Sequence, residues 1–244
     1  MRVIVNGANG RMGRAVIEGL KARGDEFVAV DVFGEAAFKS VSECDVPADV
    51  LIDFSSPAAL SELLRYAGEK QVPLVLATTG YSDAQIAEIE AAAKDAAVFR
   101  SANMSLGINL LKKLIQTAAK VLGDDFDCEI VETHHNQKKD APSGTAILLY
   151  DALKEAYAAP REMVAGRHGA DCKREPREIG VHAVRGGTVP GIHEVGFFGN
   201  NEVLTLSHSA QRREVFAQGA LKAAVFMQGK KQGLYDMDTL LGDK

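Results

Sequence analysis

Short apolar runs alternate with longer amphipathic stretches through the first hundred or so residues of this chain. The runs, each followed by turn residues and a helical pattern, lie at 3–5, 27–30, 50–52, 74–76 and 98–99. Continuous apolar runs of this length are typical of strands that are buried on both faces of a parallel sheet. Because strands and helices alternate, the pattern predicts a doubly wound α/β domain over residues 1–104.

The pattern changes after residue 104. A long helix is predicted over 105–122, where apolar residues recur at spacings of three and four. We predict a second, α+β domain with a mixed sheet over residues 105–244, because turns rich in Gly or Asn separate its apolar runs. The strands predicted for that sheet lie at 181–184, 192–198 and 203–207.

Two segments of this second half are predicted separately. Residues 160–177 are charged, contain Gly and Pro and lack periodicity, so a loop is predicted there. A final helix is predicted over about 214–228, and it is a candidate to return to the first domain.

Composition narrows the classes of function. The net charge of −5 argues against nucleic acid as the main partner, and no apolar run approaches the roughly 20 residues of a membrane span. The start, Met-Arg-Val-Ile-Val-Asn-Gly, begins a strand and lacks signal-peptide architecture, so we expect a cytoplasmic protein. Cys44, Cys128 and Cys172 are far apart without Cys-x-x-Cys spacing, which predicts reduced thiols.

A glycine-rich turn follows the first predicted strand directly and opens a helix, with the spacing Gly-x-x-Gly-x-x-Gly. Glycines in this context let the backbone approach a pyrophosphate, which the helix N-terminus stabilises. We therefore predict a Rossmann-type dinucleotide-binding domain, although a glycine-rich turn without a ligand would have the same spacing. The cofactor-binding residues predicted in this turn are Gly7, Ala8, Asn9, Gly10, Arg11 and Met12.

Other strand ends lie at the same predicted edge of the sheet. Asp31 ends the second strand, 18 residues after Gly13, where a carboxylate would accept hydrogen bonds from an adenosine ribose. Two segments follow the fourth and fifth strands, whose carboxyl ends bind ligands in open α/β sheets. Each position is a predicted cofactor contact, and the alternative is a turn without a ligand. The two segments are Ala77-Thr78-Thr79 and Ser101-Ala102-Asn103-Met104.

Residues 132–146 concentrate histidines, lysines and carboxylates between a predicted strand and a predicted helix. Cationic side chains and free backbone N–H groups can meet an anionic ligand in such a passage. His134 and His135 are adjacent in an extended segment, so their side chains should point to opposite faces. At the helix start, a carboxylate-binding role is predicted, and an N-cap role for the serine can coexist with it. The helix-start residues are Ser143, Gly144 and Thr145.

The acidic balance of the chain means that an anionic substrate would need a local cationic pocket. Lys138, Lys139 and Arg185 are candidates for it. The remaining histidines are scattered and are predicted to be structural; they are His168, His182, His193 and His208.

The run at 132–146 matches Glu-x-His-His-x-x-Lys-x-Asp-Ala-Pro-Ser-Gly-Thr-Ala at every specified position. It resembles the signature of the 4-hydroxy-tetrahydrodipicolinate reductase family (older name dihydrodipicolinate reductase), and the resemblance extends over essentially the whole chain. The resemblance implies hydride transfer from NAD(P)H to the 4-hydroxy-tetrahydrodipicolinate/dihydrodipicolinate ring. The product would be tetrahydrodipicolinate, in the diaminopimelate route to lysine.

The resemblance also implies roles for single residues. His134 is expected to be the proton donor and acceptor, Lys138 a second proton donor and carboxylate partner, and His135 a substrate contact. Glu132 and Asp140 are expected to orient the cations and the loop. The substrate is a small dicarboxylate, and the family is usually a homotetramer assembled through the sheet of the second domain.

Cofactor preference follows from the residue after Asp31. Family members that accept a ribose 2′-phosphate are expected to have a basic residue there, whereas this chain has Val32. Together with the carboxylate, this favours NADH at least as much as NADPH. Arg11 or Lys39 could still supply the charge for NADPH.

Three alternatives compete with this interpretation. One is another two-domain NAD(P)H-dependent reductase of amino-acid metabolism, and a second is a non-catalytic nucleotide-binding regulator. The third is a metal-dependent hydrolase that uses Glu132, His134, His135 and Asp140. Because adjacent strand histidines diverge and no His-x-x-x-His spacing occurs, no metal site is expected.

Overall fold

The computed structural model describes residues 1–242, and these form two compact units. One unit contains Met1–Leu106 together with the chain from Arg213 onward, and the other contains Gly107–Arg212. The strands are Arg2–Asn6 (β1), Glu26–Val30 (β2), Val50–Asp53 (β3), Leu74–Leu76 (β4), Ala97–Arg100 (β5), Asp127–His134 (β6), Glu162–Ala165 (β7), Glu178–Arg185 (β8), Gly191–Phe198 (β9), Val203–Ala210 (β10) and Gly233–Tyr235 (β11). The helices are Arg11–Arg23 (α1), Leu60–Lys70 (α2), Asp83–Ala92 (α3), Leu106–Leu122 (α4), Gly144–Ala156 (α5), Glu214–Met227 (α6) and Met237–Leu240 (α7).

The first unit is built on a parallel sheet with the strand order β11-β5-β4-β3-β1-β2. Val3 and Val5 share a core with α1 and α6, whereas Ile4 belongs to the core that α2 and α3 form with the sheet. The helices therefore cover both faces, and the predicted Rossmann-type sheet is confirmed. The sequence pattern missed β11, because this edge strand, Gly-Leu-Tyr, is not buried and lacks the continuous apolar run that marks β4.

The C-terminal segment belongs to the first unit by its packing. Ala220 and Leu221 of α6 are buried in the same core as Val16 and Leu20 of α1. The prediction placed residues 105–244 in the second domain and left open a return of the final helix to the first, whereas the packing unit of the first sheet includes residues 105–106 and 213–242. Where the functional domain boundary lies stays a prediction.

The second unit contains a mixed sheet with the order β10-β9-β6-β8-β7. The strand β8 is parallel to β6 and β7, and β9 is antiparallel to β6 and β10, so the predicted mixed sheet is confirmed. Apolar residues of α4 and α5, among them Ile115 and Leu149, cover one face of this sheet and share a core with Ile130 of β6. The predicted loop over 160–177 is wrong where β7 forms. That short edge strand is half-exposed and therefore carries no buried apolar run.

Side chains alternate between the two faces of the sheet along β6, and this alternation decides which of them are buried. Ile130, Glu132 and His134 are buried on the helix-covered face, whereas Val131 on the opposite face is 36% exposed. The opposite face of the sheet also exposes Val184 and Phe198. Among the described residues, no helix is long and apolar enough to cross a membrane.

Candidate active site

The glycine-rich turn of the first unit connects β1 to α1 and lies at the carboxyl edge of the sheet. Gly7 has a φ of 78°, and its N–H donates to the carbonyl oxygen of Val30 at 3.0 Å. A Cβ on Gly13 would lie 2.1 Å from the carbonyl oxygen of Gly7, so only glycine permits this close approach. At the N-cap, Gly10 provides no side-chain cap, which leaves the helix N-terminus open to an anion.

Asp31 anchors this turn from the end of β2. Its carboxylate accepts hydrogen bonds from the backbone N–H groups of Asn9 at 2.8 Å and Phe33 at 2.9 Å. The amide of Asn9 in turn donates to the carbonyl oxygens of Phe33 at 2.6 Å and Glu35 at 3.0 Å. The side chains of Asp31 and Asn9 therefore tie the glycine-rich turn to the segment after β2.

A fully buried carboxylate, Asp53, lies at the end of β3. It accepts hydrogen bonds from the Asn6 amide at 2.8 Å, from the Thr78 hydroxyl at 2.7 Å, and from both the backbone N–H and the hydroxyl of Ser55. Burial raises the pKa of Asp53 against the effect of these neutral donors. This network fixes Thr78, which follows β4 together with buried Ala77 and exposed Thr79.

The segment after β5 forms a compact turn. The Ser101 hydroxyl donates to the carbonyl oxygen of Asn103 at 2.8 Å, and the Asn103 side-chain oxygen accepts from the Ser105 N–H at 2.8 Å. Met104 is buried in the core, and Ala102 is exposed. The predicted cofactor residues of the first unit thus lie at the ends of β1, β2, β4 and β5, along one edge of a parallel sheet.

The turn fits a dinucleotide in two respects. Gly10, the N-cap of α1, has no side chain that caps the helix, so a pyrophosphate can approach the helix N-terminus. The N-terminus of α1 also lies at the point where strand order reverses around β1, which is where open α/β sheets bind such ligands.

In the second unit, Glu132 and His134 form the centre of the predicted substrate site. Both are buried at the end of β6, and the Glu132 carboxylate lies 2.5 Å from Nδ1 of His134. Burial lowers the pKa of His134 below its ordinary value, and the Glu132 carboxylate opposes that effect. A histidine whose pKa is set by such opposing influences is suited to proton transfer.

Arg185, at the end of β8, completes this cluster. Its guanidinium donates to both carboxylate oxygens of Glu132, at 2.8 and 2.7 Å, and to the carbonyl oxygen of Asp140 at 2.8 Å. Burial acts to raise the pKa of Glu132, but the hydrogen bonds from Arg185 and His134 outweigh it, so the pKa is lowered. Glu132 is therefore an ionised carboxylate at 0% exposure.

Ser143 is the N-cap of α5. Its hydroxyl accepts from the N–H of Ala146 at 3.1 Å and lies 3.1 Å from Nε2 of His193, while its own N–H donates to Glu132 at 3.0 Å. Since the side chain is buried in these contacts, the N-cap role is present. Gly144 and Thr145 follow it in the first turn of α5.

His193 also belongs to this cluster, although the sequence predicted His193 to be structural. Its ring is 5.1 Å from the ring of His134, measured between centroids. Burial, and then the charge of His134, lower the pKa of His193 to about 4. The antiparallel register of β6 and β9 places His193 opposite Glu132, a pairing with no signal in the sequence.

The loop after β6 carries the remaining predicted residues. Lys138 pairs with Asp140 at 2.9 Å, and this hydrogen bond lowers the pKa of Asp140. His135 is half-buried and lies just beyond the strand, whereas Lys139 is exposed. No group of His, Cys, Asp and Glu that could hold a metal ion occurs within residues 1–242.

Comparison with known proteins places the whole chain beside one group of enzymes. The family described as "Dihydrodipicolinate reductase, N-terminus" matches residues 1–104, and "Dihydrodipicolinate reductase, C-terminus" matches residues 107–241. A 4-hydroxy-tetrahydrodipicolinate reductase of Caldanaerobacter subterraneus is 49% identical over 248 residues, which cover 99% of this chain and 98% of the relative. One of Clostridium novyi is 45% identical over 250 residues, which cover 100% and 99%.

Solved structures agree at the level of the fold. A dipicolinate-bound dihydrodipicolinate reductase from a Paenisporosarcina species has a TM-score of 0.82 at 23% sequence identity. The match covers 98% of both chains, so it includes both sheets described above.

Proposed function

The chain belongs to the dihydrodipicolinate reductase family, and we propose how its residues carry out the family's reaction. It is an oxidoreductase of lysine biosynthesis that uses a pyridine nucleotide and has 4-hydroxy-tetrahydrodipicolinate reductase activity. The alternatives of another two-domain reductase or a silent nucleotide binder are not favoured, since the similarity extends over the full length. Three free cysteines fit the proposed cytoplasmic location.

The observation that carries the residue roles is the pairing of buried His134 with Glu132 at the end of β6. We assign proton donation and acceptance to Nε2 of His134, because the carboxylate occupies Nδ1. Lys138 is close enough for its charge to lower the pKa of His134, and we assign its ammonium group to a substrate carboxylate and to a second proton donation. His135 is proposed to contact the substrate from the same loop.

A small dicarboxylate needs an anchor for each carboxylate group. We propose that the N-terminus of α5 provides one through the backbone N–H groups of Gly144 and Thr145. The Ser143 hydroxyl is occupied by Ala146 and His193, so its contribution is to fix this helix start.

The cofactor is proposed to bind at the carboxyl edge of the parallel sheet, and bound NADH or NADPH supplies the hydride. The N-terminus of α1 and its glycine-rich turn would hold the pyrophosphate, and the segments after β4 and β5 would hold the nicotinamide side. The proposed contacts are Gly7, Ala8, Asn9, Gly10, Arg11, Met12, Asp31, Ala77, Thr78, Thr79, Ser101, Ala102, Asn103 and Met104. No metal is part of this proposal.

Cofactor preference is proposed to lie with NADH at least as much as with NADPH. Val32 is 68% exposed where a basic residue would favour a 2′-phosphate. Lys39 donates to the carbonyl oxygen of Gly34 at 2.6 Å, which occupies one cation that could replace it. The carboxylate of Asp31 would repel a phosphate placed beside it.

Assembly as a homotetramer is proposed through the open face of the mixed sheet. That face exposes Val131, Val184 and Phe198, and the edge strand β10 exposes Val203 and Leu204. Unpaired strand edges and apolar sheet faces are normally covered in soluble proteins. Sedimentation equilibrium would give four times the chain mass, and a monomer would contradict the proposal.

The activity is tested by following nicotinamide oxidation with substrate generated in situ. The preceding synthase would make the substrate from pyruvate and aspartate semialdehyde, with NADH and NADPH run side by side. We expect substrate-dependent oxidation with NADH at a rate at least equal to that with NADPH. Folded protein that binds NADH without oxidising it would contradict the proposed function.

A further inference from the structure

Glu132 is tightly held beside the proposed proton-transfer residue His134. It is 0% exposed and accepts four hydrogen bonds, from His134, from the Ser143 N–H, and twice from Arg185. The three donor residues come from different parts of the second unit, since His134 lies on β6, Ser143 is the N-cap of α5 and Arg185 lies on β8. A carboxylate held in this way has one orientation.

That orientation decides which nitrogen of His134 is available. An ionised carboxylate only accepts hydrogen bonds, so Nδ1 of His134 must carry the proton that it shares with Glu132. Nε2 has no hydrogen-bond partner among the described residues and is left for the substrate. A neutral ring can accept a proton there, and a charged ring can donate one.

The space beside Nε2 is also defined. Gly191, at the start of β9, lies next to the His134 ring, and a Cβ at this position would be 3.0 Å from Nε2. That separation is shorter than ordinary van der Waals contact. Any larger residue would therefore press on the reactive nitrogen or displace the ring.

We propose that Glu132 and Arg185 are positioning residues for proton transfer: Glu132 holds His134 with Nδ1 protonated and Nε2 directed to the substrate, and Arg185 keeps Glu132 ionised and fixed. Gly191 keeps the space beside Nε2 open. The inference rests on the proposed role of His134 and assigns the groups on which that role depends.

The charges that face His134 set its response to substitution. Glu132 raises the pKa of His134, whereas Lys138 and Arg185 lower it, and His193 lies beside the ring as a neutral neighbour. Removing the Glu132 charge therefore moves the pKa of His134 to lower pH. Removing Arg185 leaves Glu132 buried without the cation that keeps it ionised, so the pKa of His134 moves to lower pH in that variant as well. A purely structural defect would not move this pKa.

The first test measures kcat and KM against pH for Glu132→Gln and Arg185→Met. We expect Glu132→Gln to lower kcat by about 100-fold, within the range of general acid–base effects, and to change KM for the substrate by less than about threefold. The pH limb that belongs to His134 should move to lower pH in both Glu132→Gln and Arg185→Met, and an unmoved limb in either variant would contradict the positioning role. Glu132→Asp should restore part of kcat.

A matched control lies on the same strand. Glu129 of β6 accepts from Nε2 of His182 at 2.8 Å, so it forms a second carboxylate–histidine pair outside the site. Glu129→Gln should leave the pH profile of kcat in place. Binding of NADH, followed by the fluorescence of the cofactor because the chain contains no Trp, should be unchanged in Glu129→Gln and in Glu132→Gln.

A double variant separates failure of this inference from failure of the proposed role of His134. If Glu132 acts through His134, Glu132→Gln should cost less than about threefold in kcat when His134→Gln is already present. A multiplicative loss in the double variant would overturn the positioning role alone. Full activity of His134→Gln would instead overturn the proton-transfer role proposed for His134.

Two further measurements do not depend on the stability of the ion-pair variants. Nitrogen NMR of wild-type protein labelled in histidine, assigned with His134→Gln, should show the proton of neutral His134 on Nδ1. A proton on Nε2 would contradict the inference.

Gly191→Ala should lower kcat by at least about tenfold while the pH limb of His134 stays in place, since the charges are unaltered. A kcat equal to that of wild type would contradict the steric requirement.

Discussion

Two carboxylates in different units have the same burial and opposite electrostatics. Asp53 in the first unit and Glu132 in the second are both 0% exposed, and each accepts four hydrogen bonds. Burial raises the pKa of Asp53, whereas the pKa of Glu132 is lowered in spite of burial. The number of donors therefore does not decide ionisation; the charge on the donors does.

The hydrogen-bond networks around these two carboxylates therefore have different roles. Asn6, Ser55 and Thr78 are neutral at every ordinary pH, so the network around Asp53 is a fixed support at the edge of the parallel sheet. Around Glu132, one donor is a titratable histidine, and burial lowers its pKa from the ordinary value. A site for proton transfer needs that kind of partner, and a site that only holds a cofactor does not.

The largest change in the free energy of unfolding should come from removing one donor residue from each network. Arg185→Met leaves Glu132 buried without its cation and should lower the free energy of unfolding by about 3 kcal/mol or more. Thr78→Val removes one neutral donor from Asp53 and should cost about 1 to 2 kcal/mol. Urea unfolding at pH 7 measures both.

Arg2→Met is the control for these two variants. Arg2 forms an exposed pair with Glu26, in which the side chains are 41% and 67% exposed, so its loss should change the free energy of unfolding by less than about 1 kcal/mol. A larger loss from Thr78→Val than from Arg185→Met would contradict the importance given to donor charge.

How far the sequence predicts these networks depends on the distance along the chain. Glu132 and His134 are two residues apart on a strand, so their common face follows from the period of two, and the candidate pair is visible in the sequence. Arg185 and His193 reach the pair through the registers of β8 and β9. Register between strands more than 40 residues apart is set by packing and has no local signal.

The same reasoning applies to the fold. Buried strands such as β1 and β3 were predicted because each is a continuous apolar run. The strand β7 was missed because an edge strand needs no such run. The position of α6 was left open, since small residues such as Ala220 and Ala224 pack closely without revealing which sheet they cover.

A second, smaller effect should come from His193, the neutral neighbour of the charged cluster. Burial lowers the pKa of His193 to about 4, so the folded protein resists a proton that the unfolded chain accepts near pH 6.5. The free energy of unfolding should therefore fall as pH drops from 6.5 towards 4, by about 2 kcal/mol between pH 6.5 and 5.

His193→Gln tests this effect, because glutamine keeps a polar group near Ser143 without titrating. The free energy of unfolding, measured with urea at pH 7, 6 and 5, should fall less in His193→Gln than in wild type as the pH drops. His168→Gln is the control, since His168 is exposed. A pH-independent difference for His193→Gln would show that its ring is not held neutral.

The smallest effect should appear in the pH dependence of the two carboxylates, because burial and hydrogen bonding oppose each other at both. The pKa of Asp53 is raised on folding, so its stabilisation is present below the unfolded pKa, near 3.9, and is lost as pH rises through the folded pKa. The pKa of Glu132 is lowered, so its stabilisation is present above the unfolded pKa, near 4.3, and is lost as pH falls through the folded pKa.

Asp53→Asn and Glu132→Gln should therefore give difference curves of opposite slope in urea unfolding between pH 3 and 7. The free energy of unfolding of wild type minus that of Asp53→Asn should decrease with rising pH, and the corresponding difference for Glu132→Gln should increase. Slopes of the same sign would mean that folding shifts the pKa values of both carboxylates in the same direction. In that case a cation beside a buried carboxylate would not distinguish the proton-transfer site from the cofactor site, and the two networks would have to be separated by geometry alone.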